Sequence, residues 1–154
     1  MELVDLNDVL GKVLENLSAA VEETGGEIDY KGLPVVMGSP VSLEQIFLNL
    51  LSNSLKYRRQ DAPLRVTIRA HELEKNWKIE VKDNGIGLDP RQAERIFRIF
   101  TRLNPKDAPG EGVGLAIVKT LVERHGGQVT ADGVPGQGAT FSVIFPRVGD
   151  GKPA

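Results

Sequence analysis

The sequence predicts an α+β fold, a two-layer α/β sandwich in which helices cover one face of a mixed, mostly antiparallel sheet. Two observations carry this expectation. Apolar-alternating runs at 64–83 and 128–145 each read as a strand pair with no helix between its members, which excludes a doubly wound dinucleotide-binding fold. Longer segments with helical apolar spacing are interleaved with these pairs, so each can lay an apolar stripe on the sheet.

At 154 residues the chain suffices for one domain with a two-layer core, read here as 1–148, followed by a patternless, disordered tail at 149–154. The formal charge is −2 and no basic run exceeds Arg58-Arg59, so no nucleic-acid footprint is expected. Cysteine is absent, which excludes disulfides and thiolate metal sites and suits a reducing cytoplasm. No apolar run approaches the length of a membrane span and no signal-peptide pattern opens the chain, so membrane contact is not expected.

In chain order, 2–6 can add a short strand, with Asp5 or Asn7 capping the first helix. Leu6, Val9, Leu10, Val13, Leu14, Leu17 and Val21 keep helical spacing until Gly25-Gly26. Short strands are expected at 28–30 and 33–37. Ser39 as N-cap, with Pro40 at the first helical position, opens a helix at about 41–59. Strands at 64–71 and 77–83 come next, turned by Glu74-Lys75-Asn76. Asp89-Pro90 caps a short helix carrying Ile96, Phe97, Ile99 and Phe100. The polar stretch 102–110, with Pro105 and Pro109, reads as a mobile loop or lid. A helix at 113–125 ends at Gly126-Gly127, and strands at 128–131 and 139–145 close the chain.

The helix at 41–59 is apolar over most of its circumference. At ~100° per residue, Gln45, Asn49, Ser52, Asn53 and Lys56 share one arc. This amide-and-lysine stripe has two readings: it lines a polar cavity under a cover, or it is a narrow exposed side that happens to be polar.

Two glycine clusters, Asp83-Asn84-Gly85-Ile86-Gly87-Leu88 and Gly110-Glu111-Gly112-Val113-Gly114-Leu115, are costly for a chain that only needs to fold. Each runs into an apolar helix-like pattern, and Asp83 puts a carboxylate at a strand end in front of the first. A phosphate or a flat ring pressed against main chain is the expected reason, so the stretch reads as a nucleotide site.

These residues resemble the catalytic and ATP-binding domain of sensor histidine kinases. That family shares the GHKL superfamily with type II topoisomerases, mismatch-repair proteins and heat-shock chaperones. The resemblance runs nearly end to end. The N box looks like 45–57, the glycine boxes like 83–87, 110–115 and 136–141, and the paired phenylalanines like Phe97 and Phe100. The tracts 56–59 and 96–103 look closest to phytochrome-type kinases.

The resemblance implies a Bergerat-type ATP-binding fold, with ATP and Mg²⁺ as cofactors. It gives Asp83 the exocyclic amine of adenine, and lets Gly85, Ile86 and Gly87 approach the base, with Thr140 adding a polar contact. Asn53 and Asn49 would hold Mg²⁺ or phosphate, Lys56 would meet phosphate as a point charge, and Tyr57 would stack near the base. Gly110, Gly112, Val113, Gly114 and Leu115 would bring main-chain amides to the phosphates. Related ATPases use a glutamate one turn before the metal asparagine to activate water, and that slot here is Asn49, which cannot take up a proton. Glu44 is the nearest acid and would serve an incoming histidine from the rim.

The implied activity is transfer of the γ-phosphate to a histidine on a separate dimerisation hairpin, with a response regulator downstream and the isolated domain a monomer. Neither His71 nor His125 has the sequence context of the acceptor. A Ser/Thr kinase of the anti-sigma type and a nucleotide-sensing module without transfer activity are the alternatives.

Overall fold

A computed structural model describes residues 1–98 and 113–148. The predicted tail at 149–154, the lid at 102–110, and Ile99, Phe100, Gly110 and Gly112 lie outside the described residues.

The chain opens with a short strand, β1 (Glu2–Asp5), and helix α1 (Leu6–Glu23). Of the two capping candidates Asp5 is used: its side chain accepts from the Asn7 amide at 2.9 Å. Strands β2 (Glu27–Tyr30) and β3 (Val35–Gly38) lead to α2 (Pro40–Lys56), where Ser39 accepts from the Ser42 amide. Such a cap is worth about 1 kcal/mol. Strands β4 (Arg65–Glu72) and β5 (Asn76–Asp83) form the first hairpin. Helix α3 (Val113–Arg124) precedes the second hairpin, β6 (Gln128–Val134) and β7 (Gly138–Pro146).

The main sheet has strand order β2-β4-β5-β7-β6 and is antiparallel except for the parallel pair β2–β4. That parallel pair follows from the connection, because α2 crosses between the two strands. The sequence neighbours β2 and β3 do not pair; β3 pairs with β1 in a separate two-stranded ribbon.

The two layers meet through alternation. Val66 and Ile68 of β4, Ile79 and Val81 of β5, and Phe141, Val143 and Phe145 of β7 are buried against Leu43, Ile46, Phe47, Leu50 and Leu51 of α2. Thr67 and Lys82, one residue out of phase, are exposed. Continuing the β5 phase by two residues puts Asp83 on the helix-covered face. A carboxylate thus ends a core-facing row.

The strand expected at 33–37 is Val35–Gly38, and three larger differences from expectation have local causes. α2 stops at Lys56 rather than 59, because the Tyr57 carbonyl accepts the Ile86 amide at 2.9 Å. The predicted short helix after Asp89 is instead two single 3₁₀ turns, Pro90–Gln92 and Arg95–Phe97, although Asp89 caps as expected by accepting from the Arg91 amide. The last hairpin is longer than read, since Asp132, Gly133 and Val134 pair with Thr140, Ala139 and Gly138. Its polar and glycine residues resemble a loop in sequence while still completing the ladder.

Candidate nucleotide site

Asp83 is 7% exposed and accepts three local hydrogen bonds. Its Oδ1 accepts from the amides of Gly85 at 2.9 Å and Ala139 at 3.1 Å, and its Oδ2 accepts from the Ser54 hydroxyl at 3.1 Å. Burial pushes its carboxyl above the usual carboxylate range, against the opposing pull of those donors. Oδ2 keeps one lone pair for a further donor. Such an acceptor discriminates in favour of an amino group and against a carbonyl.

The turn after Asp83 is fixed from three sides. Asn84 accepts from the Arg65 amide at 2.8 Å and donates to the Pro63 carbonyl at 3.0 Å. The Ile86 carbonyl accepts from the Gly136 amide at 2.6 Å, joining this turn to the β6–β7 connection. At Gly85 and Gly87 the side that a Cβ would take is filled by the protein's own main chain. A Cβ on Gly85 would lie 2.6 Å from the Tyr57 carbonyl oxygen. One on Gly87, whose φ is +86°, would lie 2.1 Å from the Val134 carbonyl oxygen. Both glycines therefore let separate chain segments meet behind the site. Ile86, between them, stays exposed.

On α2, Asn49 and Asn53 are half-buried, while Gln45, Ser52 and Lys56 are exposed. The stripe is thus neither wholly covered nor wholly solvated. The Asn49 side-chain nitrogen is buried without a hydrogen-bond partner. Such a group carries a desolvation penalty of ~1–3 kcal/mol until something accepts from it. The first turn of α3 lies beside it: a Cβ on Gly114 would come 3.9 Å from the Asn49 amide carbon, and Leu115 is buried. The unpaired Asn49 side-chain nitrogen and the start of α3 are thus neighbours, and a helix N-terminus beside a free amide donor suits an anionic oxygen. Lys56 sits 4.9 Å from the centroid of the Tyr57 ring. Thr140 on β7 lines a hollow with Lys82, Asp83 and Asp132.

Glu44 is not brought to this group. It faces α1, 3.6 Å from the Lys12 ammonium. Phe97 packs edge-on against Phe141, with ring centroids 6.2 Å apart, as a core residue. His71 is exposed and pairs with Glu80 at 3.2 Å. His125 is buried and bonded to main chain through both ring nitrogens.

The sequence reading missed Ser54. It is 1% exposed and lies off the polar stripe, among Leu50, Leu51 and Leu55. A hydroxyl on the apolar side of a helix, level with a strand-end acid, was the available signal. Among the described residues no cluster of three or more histidine, cysteine or acidic side chains could hold a metal ion by itself. No helix among them is long and apolar enough to cross a membrane.

Residues 38–149 match the family model of histidine kinase-, DNA gyrase B- and HSP90-like ATPases. The chain is 42% identical over 146 residues to cyanobacterial phytochrome A of a Nostoc species, covering 94% of this chain and 19% of that protein. A mycobacterial sensor histidine kinase, MprB, superposes with a TM-score of 0.81 at 27% identity, covering 99% of both chains. Full-length ShkA in complex with AMPPNP superposes with a TM-score of 0.80 at 32% identity, covering 94% of this chain and 30% of that one. The chain thus spans about a fifth of the length of the curated relative it matches. It belongs to the histidine kinase-, DNA gyrase B- and HSP90-like ATPase family, as a catalytic domain of the sensor histidine kinase type.

Proposed function

We propose that this chain binds ATP with Mg²⁺ and passes the γ-phosphate to a histidine on a helical dimerisation hairpin outside the domain. The observation that carries the reading is the buried Asp83 carboxylate, an acceptor with one lone pair left on Oδ2. It fits the exocyclic amine of adenine and repels the carbonyl that guanine offers at the corresponding position.

The phosphate end is supported by the unpartnered Asn49 nitrogen beside the first turn of α3. Its amide fits an anionic oxygen, with Gly110, Gly112, Val113 and Gly114 adding main-chain donors and Lys56 a point charge. Bound Mg²⁺ neutralises charge on the phosphates. Asn53, helped by Asn49, would give it a neutral amide oxygen, with waters and phosphate oxygens as its other ligands. With no acidic cluster among the described residues, metal affinity rests mainly on the nucleotide. Ile86, Tyr57, Leu115 and Thr140 flank the base and sugar.

Asn49 cannot activate water, so the nucleophile comes from outside as the imidazole of the hairpin. Glu44, held by Lys12, would meet that imidazole only from the rim. The sensor-kinase name of a superposed structure favours histidine over serine or threonine as acceptor, and transfer over mere sensing. A cytoplasmic setting and a downstream response regulator complete the proposal.

Calorimetry with ATP, ADP and GTP in the presence of Mg²⁺ tests it. ATP and ADP should bind at micromolar to millimolar strength and GTP at least about tenfold more weakly. Equal affinities for ATP and GTP would remove the adenine assignment.

A further inference from the structure

Ser54 is an odd residue for its place. It lies one position past the stripe, in the apolar layer of α2, and is 1% exposed. Alanine would fill that site without a polar group to satisfy. The hydroxyl has two acceptors in reach, the Leu50 carbonyl at 3.4 Å and Oδ2 of Asp83 at 3.1 Å. It has one proton to give, so at any moment it serves one of them. The bond to Asp83 is the shorter one, and it is charge-assisted when that carboxyl is ionised.

The three donors on Asp83 are not equivalent. The amides of Gly85 and Ala139 both bond Oδ1 and belong to the main chain. Ser54 is the side-chain donor on Oδ2, the oxygen with spare capacity. We propose that Ser54 is a positioning residue for base recognition: its hydroxyl occupies one lone pair of Asp83 Oδ2 and leaves the other for the amino group of the base. This deepens the adenine-nucleotide reading and rests on it.

The geometry gives the pair two states. With Asp83 ionised, Ser54 donates to Oδ2 and the carboxylate can accept from the base. With Asp83 protonated at Oδ2, that O–H donates a hydrogen bond to the Ser54 oxygen, while the Ser54 hydroxyl donates to the Leu50 carbonyl. The second state is locally satisfied but offers the base a poorer acceptor.

Burial already favours the protonated form, and Ser54 is one of three groups opposing it. On the residues flanking this point, the chargeable side chains are Lys56 on α2, Arg65 on β4, Lys82 on β5 and Asp132 on β6, while β7 carries none. None of them is among the causes of the shift, which are burial and the three donors. Ser54 is thus the side-chain donor among the three groups that hold the Asp83 carboxyl down against burial. Affinity is flat above the Asp83 titration and falls as pH drops through it. Removing the hydroxyl moves that fall to higher pH.

The test compares the wild-type chain with Ser54→Ala, Ser54→Thr and Asp83→Asn. The Asp83 carboxyl carbon is titrated by NMR without nucleotide, and ATP affinity is measured by calorimetry from acid to alkaline pH. In Ser54→Ala the Asp83 midpoint should rise, and the acid-side fall of ATP affinity should move to higher pH with it. Ser54→Thr, which keeps the hydroxyl, should restore the midpoint. A Ser54→Ala chain whose Asp83 midpoint and ATP pH profile match wild type, while Asp83→Asn loses ATP binding, overturns the role of Ser54 and leaves the adenine reading standing. ATP binding by Asp83→Asn at wild-type strength overturns both. The NMR readout needs no nucleotide and separates a change at Asp83 from a general loss of fold.

Discussion

His125 and Ser39 are joined by a hydrogen bond across 86 residues of sequence: Nε2 of the ring accepts from the Ser39 amide at 3.2 Å. The other nitrogen, Nδ1, donates to the Leu121 carbonyl at 2.7 Å, a tautomer assigned from these partners. The ring thereby locks the end of α3 to the first turn of α2. It lies edge-on to Phe145, and it occupies the space that a Cβ on Gly38 would need, 2.8 Å away.

His125→Ala should therefore cost about 2–4 kcal/mol of stability, through a cavity and an unpaired Ser39 amide. The folded fraction should still bind ATP normally. Urea unfolding paired with calorimetry checks both parts, and a loss of binding without loss of stability would contradict this structural role.

Asn49 is expected to behave in the opposite way. Its buried side-chain nitrogen has no partner, so Asn49→Ala should leave the stability of the nucleotide-free chain unchanged or raise it by up to about 1 kcal/mol. ATP affinity should fall about tenfold, and adenosine affinity should hardly move. A large stability loss in thermal unfolding would show that the amide already has a structural partner.

The Asp83 carboxyl is held above its ordinary range chiefly by burial, which sets the sign of a pH effect. Between the ordinary carboxylate value and the folded one, the folded chain keeps a proton there that the unfolded chain releases. Stability from this group is present below the ordinary carboxylate value and lost as pH rises through the folded one. Asp83→Asn cannot titrate and fits its partners: its oxygen can keep the Gly85 and Ala139 amides, and its nitrogen can donate to Ser54. It should therefore be more stable than wild type near neutrality, with the gap closing at about pH 4 and below. Unfolding at a series of pH values checks this, and a less stable Asp83→Asn at neutral pH contradicts it.

Gly87→Ala should destabilise the chain by about 2–4 kcal/mol, since φ is +86° and the new Cβ would strike the Val134 carbonyl. The damage should appear without nucleotide. A change below about 0.5 kcal/mol in urea unfolding would mean that the turn behind the site can give way.

Most of this architecture was legible because local chemistry and tertiary context agree. Ser39 with Pro40 announced α2, and the alternation at Ile79 and Val81 carried Asp83 onto the covered face. The partners of β2 and β3 were not legible. Short strands of four residues say little about which neighbour they will pair with, and here α2 supplies a crossover. The glycines at 85 and 87 have a structural reason that only the fold shows: the segments meeting there come from Tyr57 and Val134. Ser54 escaped because a polar residue on an apolar face has no meaning until its partner, 29 positions on, is known.

The central claim, phosphate transfer from bound ATP to an outside histidine, is tested most directly with γ-labelled ATP and Mg²⁺. The isolated chain is incubated alone and with a separately made histidine-bearing hairpin of the parent kinase. Acid-labile, base-stable label should appear on the hairpin alone and be severely reduced by Asn53→Asp, which changes the charge and geometry offered to the metal. Stable phosphate on His71 or His125 of the isolated chain, or steady ATP turnover at ~1–1000 per second without transfer to the hairpin, would contradict the account.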